Sequence, residues 1–195
     1  MQIRIHPKGK EIIAKSWSDT FWIAGPGILL FLALKHLCPI NVVPSASMEP
    51  TIEEGSKVLV DQVSYRFLGE SPQRGDVVVF DSGYRYGLGG REPVRFMKRV
   101  VALPGDTVAI ISGQLLVNGF AIAEDYATLA HEDYVEVAVP EGHYFVLGDN
   151  RNNSYDSRFL GPIPQAAIQG EAIRVASLDA FFASPARTNS FLRSD

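Results

Sequence analysis

The stretch that decides the fold is residues 94–119, which read VRFMKRVVALPGDTVAIISGQLLVNG. It holds three short apolar runs that are separated by Pro-Gly and Ser-Gly pairs and followed by Asn-Gly. Asn-Gly between apolar runs is a strong local signal for a two-residue hairpin turn, and the other pairs also interrupt strands. The stretch therefore predicts three strands at 94–103, 107–111 and 114–117, with tight turns at Ser112-Gly113 and Asn118-Gly119.

Similar short runs continue on both sides of this stretch. β-Branched and aromatic residues predict further strands at the ranges 57–63, 76–80, 143–147 and 173–176. Residues 120–140 are acidic and irregular, which indicates an excursion between strands, and the QAAIQ segment that follows Pro162 and Pro164 predicts a single helical turn. Because no long helices alternate with the strands, the pattern predicts a mainly β, antiparallel barrel or sandwich.

Composition excludes several classes of protein and site. The chain has 195 residues, enough for one domain with an appendage, and its net charge of −4 argues against a nucleic-acid binder. Cys38 is the single cysteine, so an internal disulfide and a cysteine zinc site are excluded. The histidines form no HxxxH or HxH pair, and no glycine-rich phosphate loop is present. We therefore expect neither a metal nor a cofactor.

The N-terminal region differs from the rest of the chain in charge and hydropathy. Residues 1–18 carry a net charge of +3, whereas the remainder carries −7. Residues 21–34 are uncharged, and extending this segment to Cys38 gives a helix of roughly 27 Å, close to a thin hydrocarbon core. A cleaved signal peptide and a buried core helix are alternatives, but an uncleaved transmembrane anchor at 19–38 is favoured. The positive-inside rule then predicts a cytoplasmic leader at 1–18.

Two polar stretches and one lysine are unusual for a purely structural role. The stretches are PSASMEPT at 44–51 and GDNRNNSYDSR at 148–158. In the strand at 94–103, alternation places Lys98 on one face with Phe96 and Val100. Partial desolvation lowers a lysine pKa, and a fall from ~10.4 to about 8 would supply a general base. A lysine whose tip reaches water and a solvated Asx turn are the structural alternatives.

Together these pieces resemble the type I signal peptidase family, the Ser-Lys membrane-bound proteases that remove signal peptides. Four segments carry the resemblance, in the family's order: 45–52, 74–80, 98–106 and 148–158. The resemblance implies an antiparallel β catalytic domain that is tethered to the membrane. We expect this domain at 41–178, a single transmembrane helix at 19–38 as the tether, and a C-terminal tail at 179–195. With a cytoplasmic leader, the catalytic domain would lie on the outer face of the inner membrane.

The resemblance also implies roles for individual residues. Ser47 matches the nucleophile and Lys98 the general base. Ser45 matches the residue whose hydroxyl helps to form the oxyanion hole, and Ser154 a serine that orients the lysine amine. The final segment supplies supporting residues, namely Gly148, Asp149 and Asn150 behind the site and an ion pair between Asp156 and Arg158.

The expected substrate is the signal peptide of an exported preprotein, bound extended as an added strand. Shallow apolar pockets would favour small residues at the first and third positions before the cut, and membrane lipid is the other expected partner. The positions that resemble the family's substrate contacts are Val43, Pro44, Met48, Ile52, Phe96 and Met97. The chain departs from some members in having at most one N-terminal span and only a short segment between the lysine and final motifs.

Two other functions fit the same pattern less well. A Ser-Lys protease of related fold, such as a self-cleaving repressor, would need a DNA-binding head, and residues 1–40 offer an apolar segment instead. A non-catalytic, membrane-anchored β-barrel adaptor would not require both Ser47 and Lys98.

Overall fold

The computed structural model describes residues 25–29, 36–85 and 93–174. The chain divides into two compact units, residues 1–39 and residues 40–195. In the first unit, residues 25–29 are helical. The predicted leader, most of the predicted anchor at 19–38 and the predicted tail at 179–195 lie outside the described residues. Among the helices that the structure does describe, none has the length and apolar character needed to cross a membrane.

The described part of the second unit is built mainly from strands, with two short α-helices, α1 (Val63–Phe67) and α2 (Ser157–Leu160). Three 3-10 turns lie at Ala46–Met48, Arg151–Asn153 and Gln165–Ala167. The strands are β1 (Ile40–Val42), β2 (Lys57–Asp61), β3 (Val77–Arg85), β4 (Pro93–Ala102), β5 (Thr107–Ile111), β6 (Gln114–Val117), β7 (Phe120–Ala121), β8 (Tyr134–Ala138), β9 (His143–Leu147), β10 (Ile163–Pro164) and β11 (Ile168–Arg174).

The strands form two antiparallel sheets. The larger has seven strands in the order β1-β2-β11-β3-β4-β9-β10, and the smaller has four in the order β7-β6-β5-β8. Every pair of neighbouring strands within these two sheets is antiparallel. The prediction of a mainly antiparallel β fold is therefore confirmed for the described part of the chain.

Both hairpin turns of the small sheet lie where the sequence predicts them. Ser112 and Gly113 connect β5 to β6 with φ of 52° and 81°. Asn118 and Gly119 connect β6 to β7 with φ of 54° and 78°. Two successive positive φ values define a type I′ turn, whose twist matches that of the flanking strands. Asparagine and glycine tolerate this left-handed region better than other residues, which is why the local signal is reliable.

Some predicted strands have different bounds in the structure. β2 ends at Asp61 rather than at 63, because the Asp61 carboxylate accepts hydrogen bonds from the backbone N–H groups of Val63 and Ser64 and starts α1. β3 continues to Arg85 by pairing with β4. The last strand, β11, begins at Ile168 directly after a 3-10 turn, earlier than the predicted 173–176.

The acidic region 120–140 contains two strands that the sequence did not predict. β7 continues the second hairpin, and β8 pairs with β5 at the edge of the small sheet. In β8 both Val135 and Glu136 are exposed. The valines at 135, 137 and 139 alternate with Glu136 and Ala138, which is a strand pattern, but the acidic residues around this short run favour an irregular excursion.

The core consists of three apolar clusters. One packs the small sheet against the ends of β4 and β9, with Ile110, Leu115 and Phe145 at its centre. The other two cover opposite faces of the large sheet, so that neighbouring residues of β3, Val78 and Val79, belong to different clusters. Residues 77–80 of β3 and 98–102 of β4 are thus buried on both faces, which removes the side chains of Lys98 and Arg99 from water.

Candidate active site

Ser47 lies in the 3-10 turn at Ala46–Met48. Ser45, at the start of this turn, has extended backbone angles, and the turn is closed by a hydrogen bond of 3.2 Å from the backbone N–H of Glu49 to the carbonyl of Ala46. A second bond of 2.8 Å, from the backbone N–H of Ile52 to the carbonyl of Met48, fixes the chain that follows. Met48 and Ile52 are buried in the core and hold the turn in place. The turn therefore presents a serine hydroxyl, itself mostly buried, at a fixed position.

Lys98 projects from β4, a central strand of the large sheet, toward this serine. Its Nζ lies 2.7 Å from the Ser47 Oγ and donates a second hydrogen bond of 3.0 Å to the carbonyl of Met97. The Phe96 ring lies 5.5 Å from Nζ, so the expected placement of both residues on one face is confirmed. Only 4% of Lys98 is exposed. The structure thus brings a serine and a lysine that are 51 positions apart into direct contact.

Burial lowers the pKa of Lys98 from its ordinary value to about 8. The negative charges of Asp156 and Asp149 act in the opposite direction, while Arg158 lowers the pKa further. Desolvation dominates because the ammonium form loses its hydration when the side chain is enclosed. At pH 7 roughly a tenth of the molecules then carry a neutral amine, against about one in several thousand for an exposed lysine.

Ser45 and the segment 148–158 surround this pair. The Ser45 Oγ lies 3.2 Å from the Ser47 Oγ. The Asn150 backbone N–H donates to the Ser47 carbonyl at 3.1 Å, and its side-chain amide donates to the Ala46 carbonyl at 3.1 Å. These bonds fasten the nucleophile turn to the polar segment, whose density of hydrogen-bonding groups the sequence had singled out.

Gly148 is required by the close approach of this segment to Ser47. A Cβ at Gly148 would lie 2.6 Å from the Ser47 carbonyl oxygen and would also overlap the Ser154 side chain. The Ser154 hydroxyl is buried and makes no hydrogen bond within the described residues. The contact between Ser154 and the Lys98 amine that the resemblance implies is therefore not formed in this structure, where the amine bonds Ser47 and the Met97 carbonyl instead.

Asp156 and Arg158 form the ion pair that the resemblance implies. Arg158 donates to the two Asp156 carboxylate oxygens from Nε and Nη2, each at 2.8 Å. The same carboxylate accepts from the Gly148 backbone N–H at 3.0 Å and from the backbone N–H of Arg158 at the start of α2. One buried aspartate therefore fixes both the glycine beside Ser47 and the helix that follows.

Sequence reasoning missed a buried ion pair behind the site, between Arg99 and Asp149. Arg99 donates to both carboxylate oxygens, at 2.8 and 2.6 Å, and also to the Gly75 carbonyl at 2.7 Å. Burial alone would lower the pKa of Arg99, but the hydrogen bonds and charge of Asp149 raise it, so the arginine stays charged. The available signal was Arg99 itself, a charged residue among valines in a central strand, which needs a buried partner.

The predicted substrate contacts divide into two groups. Pro44 is exposed, and Phe96 and Met97 are half-buried, so these three can meet a docked peptide. Val43, Met48 and Ile52 belong to the core and are at most 2% exposed. In this conformation they support the nucleophile turn rather than line an open cleft, because the turn itself covers them.

No cluster of His, Cys, Asp or Glu suited to a metal ion occurs in the part of the chain that the structure describes. The chemistry that the arrangement supports is instead nucleophilic attack by Ser47, with Lys98 as the base. The short contact between Nζ and Oγ provides the geometry, and the lowered pKa provides the neutral amine.

Comparisons with known proteins point to the same chemistry. The family model described as signal peptidase, peptidase S26, matches residues 15–176. A probable signal peptidase I-1 from Synechocystis is 40% identical over 176 residues, which cover 83% of this chain and 86% of that protein. A probable signal peptidase I-2 from the same organism is 41% identical over 132 residues, 67% of this chain, and the chain spans only 59% of its length.

A solved structure of a signal peptidase I from Enterococcus faecalis is 36% identical, with a TM-score of 0.42; the match covers 52% of this chain and 97% of that one. The family assignment depends on the sequence matches, which extend over most of the chain. This chain therefore belongs to the signal peptidase family, peptidase S26, whose membrane-associated members are Ser-Lys serine endopeptidases that cleave signal peptides.

Proposed function

We propose that Ser47 and Lys98 carry out the family's reaction in this chain, with Ser47 as the nucleophile and Lys98 as the general base. The observation that carries the proposal is the 2.7 Å contact between the Lys98 Nζ and the Ser47 Oγ. Burial makes this contact chemically useful, since it lowers the pKa of Lys98 to about 8 and allows a neutral amine near neutral pH.

The proposed reaction has two stages. In the first, the neutral amine of Lys98 takes the proton of the Ser47 hydroxyl while Oγ bonds to the scissile carbonyl carbon. The resulting ammonium gives its proton to the leaving amine as the peptide bond breaks, which leaves an acyl-enzyme. In the second stage Lys98 takes a proton from water, whose oxygen attacks the ester, and returns a proton to the Ser47 Oγ.

Ser45 and the Ser47 backbone N–H are proposed to bind the oxygen that becomes negative during attack. The Ser45 hydroxyl lies within 3.2 Å of the nucleophilic oxygen, which places it beside the bond that forms. Donors that are held in position before the reaction lower the barrier because no reorganisation is needed when the charge develops. The buried Ser154 hydroxyl has no hydrogen-bond partner in the described residues. We propose that it orients the Lys98 amine once substrate binding breaks one of the two hydrogen bonds that the amine makes in this structure.

We further propose that the substrate is a signal peptide with small residues at the first and third positions before the cut. Pro44 is exposed and Phe96 and Met97 are half-buried, so these three apolar side chains are available to contact a peptide. An extended peptide beside them would place alternate side chains against this surface.

The proposed location is the inner membrane, with the leader at 1–18 in the cytoplasm, a single anchor at 19–38 and the catalytic domain at 41–178 on the outer side, near the lipid surface. The support is the charge of +3 in residues 1–18 and the uncharged segment that follows. The family's association with membranes agrees with it.

The decisive experiment uses the full chain in detergent with a synthetic signal-peptide substrate. We expect Ser47→Ala and Lys98→Ala each to lower kcat/KM by about 10³-fold or more, because each removes one half of the reacting pair. Lys98→Arg should be equally inactive, since a guanidinium keeps its proton.

Lys57→Ala is the matched control, because Lys57 is an exposed lysine in another strand of the same sheet. It should cleave at the wild-type rate. Cleavage by Ser47→Ala at the rate of the control would refute the proposed roles.

A further inference from the structure

The segment that joins β7 to β8, residues 122–133, contacts the polar segment behind the candidate active site. We refer to it as the 122–133 loop. The Thr128 backbone N–H donates to the Asp149 carbonyl at 2.9 Å, and the Thr128 hydroxyl accepts from the Arg151 backbone N–H at 2.9 Å. A second set of bonds joins Asn152 to the backbone of Leu129 and His131. The proposed catalytic roles give this loop no function.

Glu124 connects the loop to the carbonyl of Gly148. Its carboxylate oxygen accepts from the Arg151 Nη2 at 2.6 Å and from the Tyr126 hydroxyl at 2.8 Å. Both members of the Glu124–Arg151 ion pair are enclosed, with side chains 7% and 2% exposed. The Arg151 Nε in turn donates to the Gly148 carbonyl at 3.1 Å. Glu124 therefore neutralises the arginine that holds the glycine packed against Ser47.

Tyr126 connects the same loop to Arg99. The Arg99 guanidinium carbon lies 4.2 Å from the centre of the Tyr126 ring, within the range of a cation–π contact. The Tyr126 carbonyl accepts from the Thr51 hydroxyl at 3.4 Å, close to the nucleophile turn. Burial and the Glu124 carboxylate raise the pKa of Tyr126 well above its usual range, so its hydroxyl remains a donor at every pH where the enzyme would work.

These contacts converge on the link between the two reacting residues. Arg99 follows Lys98 in β4, and its partner Asp149 precedes Asn150, which bonds the Ser47 carbonyl. The Arg99–Asp149 pair thus couples the strand that carries the lysine to the segment that holds the serine. The 122–133 loop contacts this link twice: the Tyr126 ring lies against Arg99, and Glu124 pairs with Arg151, two positions after Asp149.

We propose that Glu124 and Tyr126 are positioning residues for the Ser47–Lys98 pair, acting through Arg151 and Arg99, an inference that rests on the proposed catalytic roles of Ser47 and Lys98. They touch neither the serine nor the amine. They act on the distance between the Ser47 hydroxyl and the Lys98 amine. A misplacement of about 1 Å can lower the rate by about 10²-fold.

The test compares four variants of the full chain with the same signal-peptide substrate. Tyr126→Leu removes the ring from Arg99, whereas Tyr126→Phe keeps the ring and loses only the hydroxyl. Glu124→Gln keeps an acceptor oxygen and removes the charge. The matched control is Tyr134→Leu. Tyr134 lies in β8 of the small sheet, is half-buried and packs on Phe145 of β9.

We expect Tyr126→Leu to lower kcat about tenfold or more, with KM within about twofold of wild type. Tyr126→Phe should lose no more than about threefold in kcat, because the contact with Arg99 is kept. Glu124→Gln should lose roughly threefold to tenfold in kcat, since a neutral amide holds Arg151 more weakly than a carboxylate. Tyr134→Leu should lose stability without loss of kcat.

The pH profile separates positioning from a general loss of structure. Asp149, Asp156 and Arg158 are the charged groups whose fields act on Lys98. When Tyr126→Leu loosens Arg99, the Asp149 charge is less well neutralised, so the midpoint of kcat/KM against pH should move to higher pH. A merely destabilised protein would keep the wild-type midpoint.

Wild-type kcat and midpoint in folded Tyr126→Leu would overturn the inference. If Tyr126→Leu does not fold, Glu124→Gln is the deciding variant, and a wild-type kcat for Glu124→Gln would also overturn the inference. Ser47→Ala in the same assay keeps the two proposals distinct: an active Ser47→Ala refutes the catalytic roles. An inactive Ser47→Ala beside a fully active Tyr126→Leu refutes only the positioning inference.

Discussion

Lys98 shows how a single residue can be placed where its charge is unfavourable. The side chain is 4% exposed, and its amine contacts a hydroxyl and a carbonyl rather than a carboxylate. The two nearby aspartates are occupied by Arg99 and Arg158 and so cannot pair with the amine directly. The core thus keeps the ammonium form costly, and this is what makes the neutral base available.

The pH dependence of activity follows from this residue. A lysine pKa lowered to about 8 means that the reactive, neutral form increases as the pH rises through that value. We expect kcat/KM for a signal-peptide substrate to rise about tenfold per pH unit below pH 7 and to level off above about pH 9. The measurement is kcat/KM across this range at constant ionic strength, with thermal unfolding followed at each pH. A profile that is flat or falls between pH 6 and 8 contradicts Lys98 as the base.

Two aspartates, Asp156 and Asp61, each start a short helix, but only the helix of Asp156 adjoins the candidate site. Asp156 starts α2, binds the Gly148 N–H and pairs with Arg158. Asp61 starts α1 in a similar way, because its carboxylate accepts hydrogen bonds from the backbone N–H groups of Val63 and Ser64. This helix follows β2, a strand that carries none of the candidate site residues. Comparing variants of the two aspartates therefore distinguishes the effect of a capping carboxylate on stability from its effect on the site.

We expect Asp156→Ala to lower the free energy of unfolding by about 3–5 kcal/mol, because it leaves the Arg158 charge and the Gly148 N–H without their buried partner. Asp61→Ala should cost only about 1 kcal/mol, as is usual for loss of a cap. Urea unfolding measures both.

Kinetics extend this comparison of the two aspartates. Asp61→Ala should keep wild-type kcat/KM. Asp156→Ala should lose activity, and its pH midpoint should lie lower, since the removed carboxylate raises the pKa of Lys98. A midpoint that moves upward in Asp156→Ala would show that the Asp156 charge does not act on the amine.

At the scale of the whole molecule, the distribution of charge along the chain is the basis for its proposed orientation. Residues 1–18 are basic, the body is acidic, and the first compact unit ends at residue 39, one position after the segment proposed as the anchor. Because basic residues that flank a membrane segment are retained in the cytoplasm, this asymmetry is the argument for proposing that the catalytic domain lies outside.

We expect a protease added to intact spheroplasts to digest residues 41–178 of the full chain and to spare the leader. The combined change Lys8→Glu and Lys10→Glu, which makes the leader acidic, should reduce this digestion because the retention signal is lost. Detection uses tags at the two ends of the chain. Protection of the body in intact spheroplasts, with digestion only after lysis, would contradict the proposed orientation.

Local sequence was sufficient for the elements whose structure depends on neighbouring residues. The turns at Ser112-Gly113 and Asn118-Gly119 and the strands β5, β6 and β9 lie where the pattern predicts them. The burial of Lys98 was also accessible, because alternation along β4 places it with Phe96. β8 was missed although Val135, Val137 and Val139 alternate, because the acidic character of residues 120–140 outweighed this short pattern.

The sequence by itself thus determined the mainly β fold and the hairpins, and it singled out Ser47 and Lys98 as the candidates for the reacting pair. Only the tertiary structure decided which groups meet: Ser47 with Lys98, Arg99 with Asp149, and Tyr126 with Arg99. It also decided that Ser154 has no partner in the described residues and that Met48 and Ile52 belong to the core. The physical reason is that turn preference and alternation are properties of adjacent residues. The partner of a side chain, by contrast, is set by the register and packing of segments that are 50 or 51 positions apart for the pairs Arg99–Asp149 and Ser47–Lys98.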